Sequence, residues 1–170
     1  MQSADPTWKN PEVFRQVQLG LDLLLSRRKG QAQALLAQAF AIQDLILDLD
    51  QDLEELCSRT CPWCAQPCCL SADVRYDFRD LLFLHCQQLA LPLAQPGVWQ
   101  NQACSLLGSR GCRLPRTLRP FMCTWYICPW QMKILRSSSS RGLQELPARL
   151  GLLQGRRKEL EAEFLDLVQA

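Results

Sequence analysis

Leu35, Ala39, Ile42, Ile46, Leu49, Leu53 and Leu56 recur in steps of four and three, and the rhythm stops at Cys57. Such steps put every one of these side chains on a single stripe of an α-helix. A stripe that long has to be covered, and a second run keeps the same rhythm. It comprises Leu146, Leu150, Leu153, Leu160, Phe164 and Leu167, with Arg157 in the remaining slot. The chain is therefore expected to be mainly α-helical, a bundle built from an N-terminal helical hairpin and a long C-terminal helix.

Local signals set the expected boundaries. Asn10 can cap a first helix that carries Pro11 in its opening turn. That helix should run to about Lys29, with Arg27, Arg28 and Lys29 at its negative end and Gly30 in a left-handed cap. The short break at Gly30 makes 11–56 an antiparallel hairpin. Asp77 can start a short helix through Leu89, ended by Pro92, and Ser137 to Ser140 form a flexible connector. The last helix is expected from Pro147 to Val168, within a C-terminal helical segment, 141–170. With 170 residues, 48% of them hydrophobic, one domain (1–170) can bury a core without disulfides.

Between the helical parts the pattern changes. Residues 57–70 hold five cysteines, two prolines and a tryptophan, with no helical period. Cys57, Cys61, Cys64, Cys68 and Cys69 form one group, and Cys104, Cys112, Cys123 and Cys128 a second. Pairs a few residues apart suit metal binding, because a tight turn aims both sulfurs at a point about 2.3 Å from a zinc ion. Cys61 and Cys64 meet that spacing, and Cys64/Cys68 and Cys123/Cys128 approach it. Neighbouring side chains diverge, so adjacent Cys68 and Cys69 fit two sites, or a polynuclear one, better than a single ion. The expected ligands are Cys61, Cys64, Cys68, Cys69, Cys104, Cys112, Cys123 and Cys128, with Cys57 in reserve, while Cys86 sits on an apolar helix as a core residue. The region 57–130 is expected to be an irregular, cysteine-rich metal-binding region. Trp63, Trp99, Trp125 and Trp130 lie within it and are expected to keep water from the metal.

Several function classes find no support in the residues. His85 is the only histidine, and a satisfied, partly buried role suits it better than a ligand role. No nucleophile elbow or glycine-rich phosphate loop accompanies it, so whether the chain is an enzyme stays open. The acidic end of the second helix (Asp44, Asp48, Asp50, Asp52, Glu54, Glu55) reads as a solvated face rather than a set of oxygen ligands. Nineteen basic residues against 17 acidic ones give +2, without a polybasic run, so nucleic acid is not an expected partner. Gln38, Gln43 and four aspartates interrupt the most apolar stretch, so no membrane span is expected. The start, Met1 to Pro6, lacks the layout of a secretory signal. A cytoplasmic setting is expected, in which ten cysteines are thiolates for metal before they are disulfide halves.

Cys61-x-x-Cys64-x-x-x-Cys68-Cys69, then Cys104 to Gly111-Cys112, then Arg119-Pro120-Phe121-Met122-Cys123, resembles the YkgJ-type CxxCxxCC cysteine-cluster family of zinc- or iron-chelating proteins. The likeness covers about residues 57–130. This chain has one extra residue between Cys64 and Cys68, and Leu114-Pro115 stands where an aromatic residue is usual. The resemblance implies a metal-dependent role, with Arg119 bonding backbone or thiolate sulfur and Pro120 setting the turn into Cys123. Thiolate-only coordination suits zinc, iron or an iron–sulfur cluster. Two other classes compete. One is an adaptor whose leucine-striped helices bind a protein partner while the metal is structural. The other is a thiol redox protein, since Cys61-Pro62-Trp63-Cys64 resembles thioredoxin-like pairs, although that fold needs strand–helix alternation around the motif.

Overall fold

The computed structural model describes residues 10–70, 72–96, 103–109 and 111–169. Trp99 and the Met1 to Pro6 start lie outside the described residues. The elements are α1 (Pro11–Arg27), α2 (Gln33–Thr60), α3 (Phe78–Cys86), the paired strands β1 (Leu107–Gly108) and β2 (Gly111–Cys112), α4 (Met122–Trp125), α5 (Pro129–Ser137) and α6 (Arg141–Gln169). Single 3₁₀ turns at Cys61–Trp63, Cys68–Leu70 and Arg116–Leu118 punctuate the cysteine-rich part. The protein is a mainly helical bundle.

The stripe on α2 is buried along its whole length, and Thr60 extends it by one turn. Its principal partner is α6, whose buried side follows the expected rhythm and begins earlier, at Leu143. α1 starts at Asn10, whose side chain accepts the Glu12 N–H at 2.9 Å, and packs most extensively on α3. It ends two residues before Lys29, and the left-handed cap expected at Gly30 is not formed; the capping residue is Arg28, at φ −113°. The Arg28 guanidinium instead bonds the Leu167 carbonyl near the end of α6. One apolar core joins side chains of α1, α2, α3, α5 and α6.

Beyond the end of α1, the boundaries of α3 and α6 differ from expectation, and α5 is a helix that no rhythm marks. α3 stops at Cys86 rather than Leu89, because Gln88 turns left-handed at φ +52°. The Leu89 N–H then reaches the Leu84 carbonyl and the Gln88 N–H the His85 carbonyl, which closes the helix without Pro92. α5 has too few residues to show a period; it is set by its cap at Cys128 and by burial of Gln131 and Leu135. α6 runs straight through Pro147, which had been expected to open it.

Magnitudes account for the last case. A proline inside a helix costs about 3 kcal/mol. Leu143 and Leu146 are both fully buried, and each contributes roughly 1.5–3 kcal/mol. The turn ahead of the proline therefore stays helical. Pro147→Ala should restore the missing N–H on this exposed face and raise folding stability by about 1–3 kcal/mol. Urea unfolding checks this, and a loss of stability would mean that the packing needs the proline's geometry.

Candidate metal centre

The cysteine region begins where α2 ends. Cys57 lies in its last turn, and the 3₁₀ turn over Pro62 bonds the Cys64 N–H to the Cys61 carbonyl at 3.2 Å. A second such turn carries Cys68 and Cys69. The decisive link comes next: the Cys104 N–H donates to the Cys69 carbonyl at 2.8 Å, so the two cysteine groups meet backbone to backbone. From Cys104 the chain enters the antiparallel pair β1–β2, in which Leu107 faces Cys112 and Gly108 faces Gly111. Gly111, at φ +105°, takes a backbone form that L side chains resist, and it brings Cys112 opposite Leu107, three residues after Cys104.

Cys123 arrives by a different device. The Cys123 N–H donates to the Pro120 carbonyl at 2.8 Å, so Pro120 does set this turn. Arg119 bonds the Leu114 carbonyl at 2.9 Å and the Glu54 carboxylate at 3.2 Å. Of the two roles expected for it, the backbone one is formed. Behind the turn lies a buried charge cluster. Asp80 accepts the Phe121 N–H at 3.1 Å and the Asp77 N–H at 2.9 Å, while Arg157 reaches Asp77 and Asp80, each at 2.8 Å. The same guanidinium sits 4.2 Å over the Phe121 ring. Arg157 therefore fills its slot in a leucine rhythm because α3 presents carboxylates to it. Burial pushes the Asp80 carboxyl up to about 7, since Arg157 and the N–H donors do not fully replace its lost hydration.

The thiols influence one another. Cys123 keeps an exposed edge, yet its thiol is pushed up to about 12, first by desolvation and then by Cys112, Cys104 and Cys68. Cys69 is raised by its hydrogen bond with Cys68, by burial, and by the charges of Cys68, Cys123 and Cys104. Cys68, stabilised by that same bond, falls to about 6. Groups that repel one another's ionisation in this way are the groups a cation would draw together. Tyr76 lies beside them; it is buried, raised first by desolvation, and feels Cys112, Cys123 and Cys104 as well as Asp80. Its hydroxyl donates to the Leu118 carbonyl at 2.7 Å.

A separate group surrounds Gln131. Cys128 is the N-cap of α5: its Sγ accepts the Gln131 N–H at 3.5 Å, and the Gln131 Oε1 accepts the Cys128 N–H at 3.1 Å. The Gln131 Nε2 is 3.7 Å from Cys57 Sγ and 3.3 Å from Thr60 Oγ1, which is 3.8 Å from Cys61 Sγ. Cys57 and Cys61 share a hydrogen bond, which lowers Cys61 to about 6 and raises Cys57. Cys64 joins through its backbone N–H, which bonds the Cys61 carbonyl. Among the described residues, no three His, Cys, Asp or Glu side chains are yet gathered closely enough to hold an ion. All ten cysteines are free thiols, and Cys86 is buried in the core with its thiol pushed up to about 12 by burial.

Other expectations need correction. Trp63, Trp125 and Trp130 are 77%, 50% and 40% exposed, so none of them forms a buried wall; leucines from the long helices fill the interior. Trp99 lies outside the described residues. His85 is half-buried on α3, its pKa lowered by desolvation, and its Nε2 has no hydrogen-bond partner among the described residues, so it is not satisfied. The acidic end of α2 is clamped rather than merely solvated: Asp50 and Glu54 hold the buried Arg116, and Asp48 and Asp52 hold Arg149. Asp80, Gln131 and Tyr76 escaped the sequence reading. The spacing Asp77-x-x-Asp80 was a capping-box signal, and Cys128-x-x-Gln131 is the same box with sulfur in place of a hydroxyl.

No family model, curated protein or solved structure matches the chain. Among the described residues, no helix is long and apolar enough to cross a membrane.

Proposed function

We propose that this protein binds a transition-metal centre, zinc or an iron–sulfur cluster, through the thiolates of Cys57, Cys61, Cys64, Cys68, Cys69, Cys104, Cys112, Cys123 and Cys128, in the manner of the YkgJ-type proteins it resembles. The hydrogen bond between Cys104 and Cys69 carries this reading, because it joins two cysteine groups 35 residues apart in sequence. A χ1 change between staggered wells moves a cysteine sulfur by roughly 3 Å, so the thiols can close on an ion without refolding the loops. A zinc ion would fix the loops in place, whereas an iron–sulfur cluster would give the protein an electron to accept or pass on. Asp80 and Arg157 hold the Cys123 turn, and Gly111 holds Cys112. Free thiols suit a reducing, cytoplasmic setting.

Protein purified without air or chelator should contain tightly held metal, measured by elemental analysis beside an anaerobic absorption spectrum. Visible absorption with iron and acid-labile sulfide supports the cluster, and colourless protein with stoichiometric zinc supports the ion. Metal-free folded protein would end the reading.

The adaptor reading keeps one observation in its favour. The leucine stripes themselves are spent on the core, but Tyr126, Ile127, Pro129, Met132, Lys133 and Arg136 line an open cleft of about 490 Å³. The thiol redox reading lacks its scaffold: among the described residues the only sheet is the two-stranded β1–β2 pair.

A further inference from the structure

We propose that the cysteines serve two separate centres, and that Cys57, Cys61, Cys64 and Cys128 form the second, a mononuclear zinc-type site between the end of α2 and the start of α5. This rests on the thiolate–metal reading and specifies how the ligands divide.

The division follows from which groups each sulfur meets. Cys57 and Cys61 stand one helical turn apart, so their side chains share a face of α2. Gln131, only 6% exposed, lies between that face and Cys128; its backbone N–H is aimed at one sulfur and its side-chain amide at another, at 3.5 and 3.7 Å. Donors aimed at sulfur stabilise thiolates and hold them toward a metal. Cys64 follows Cys61 at knuckle spacing, in a turn already closed by the 3.2 Å bond to the Cys61 carbonyl. The remaining cysteines lie mainly among one another, although Cys68 also feels the charge of Cys61, so the two centres adjoin. Cys69 and Cys104 share the backbone bond, and Cys112 leaves β2 across from Leu107, on the strand pair that follows Cys104.

The helix ends suit this assignment. Cys57 and Cys61 lie at the C-terminal end of α2, where the backbone dipole favours a cation. Cys128 lies at the N-terminal end of α5, where the dipole favours a thiolate. Four thiolates complete a tetrahedral zinc shell. The centre would staple α5 to α2 and so fix the helix that lines the open cleft.

The test uses the full chain, purified anaerobically and titrated with zinc alone, then with cobalt(II) as a spectroscopic probe. Cys57→Ser with Cys128→Ser removes two ligands of the second centre. Serine is itself a strong N-cap, so α5 keeps its start. Cys104→Ser with Cys123→Ser removes two ligands of the other. Loss of Cys57 and Cys128 should remove about one equivalent of zinc and leave the other centre's thiolate–cobalt absorption, and loss of Cys104 and Cys123 should leave the second centre's equivalent in place. The single Cys128→Ser chain, read by zinc release to a chromogenic chelator, gives the same answer if a double variant misfolds: one equivalent should leave faster than in the parent. Full zinc content after loss of Cys57 and Cys128 would overturn the second centre alone. Loss of all metal from either pair would show one shared centre. A parent chain that binds neither ion would remove the underlying reading as well.

Discussion

Asp80→Ala is expected to cost about 3–5 kcal/mol of folding stability, measured by urea unfolding. The carboxylate is buried between Arg157, the Asp77 N–H and the Phe121 N–H. Its upward pKa shift indicates that this pairing does not fully offset desolvation, so the intact pair is a weak stabiliser. Removing one partner is another matter. Arg157 would stay buried with only the half-exposed Asp77, and the Phe121 N–H would lose its acceptor. Asp80→Asn keeps an acceptor and should lose about half as much. Asp80→Leu combined with Arg157→Met should recover part of the loss, since apolar replacements of buried pairs are often tolerated. The same cluster positions the turn that delivers Cys123, so Asp80→Ala should also lower metal content. A cost under about 0.5 kcal/mol, as for an ordinary surface change, would show that the cluster contributes little.

Metal removal is the second large effect. A strong chelator, applied anaerobically, should lower the thermal midpoint by about 10 °C. Ion present at a thousandfold its Kd contributes about 4 kcal/mol, and each kcal/mol moves the midpoint by about 2–4 °C at this chain length. The far-UV helical signal should change little, because α2 and α6 bury each other's leucines without help from the cysteines. The near-UV signal should fall, since Trp63 closes the Cys61 turn, Trp125 ends α4 beside Cys123 and Trp130 stands on the first turn of α5. Zinc added back to a reduced chain should restore both midpoint and near-UV signal. An unchanged midpoint would deny the metal any structural part.

The two experiments probe opposite sides of the Cys123 turn. Asp80 and Arg157 hold it from the helical core, and the metal would hold it from the cysteine side. If both act on one turn, losses from Asp80→Ala and chelation should fall short of additivity.

Periodicity and capping chemistry determined most of the frame from sequence alone. The four-three rhythm marked the buried face of α2 from Leu35 to Leu56 and that of α6 from Leu146 to Phe164, because burial selects one side of a helix at every turn. Asn10 and Asp77 marked helix starts because each side chain bonds a free backbone N–H nearby. The spacing of the cysteines marked the candidate ligands without saying which of them would meet. Tertiary structure decided what depends on distant partners. Leu143 and Leu146, once buried, carry α6 through Pro147, which local chemistry alone would place at a helix start. Arg157 occupies an apolar slot because two carboxylates of another helix await it, and Gln131 bridges sulfurs from two helix ends. The bond from Cys104 to Cys69 links groups that no local rule connects. Local rules act within about one helical turn, whereas a site shared by several loops exists only once the core has fixed where those loops begin and end.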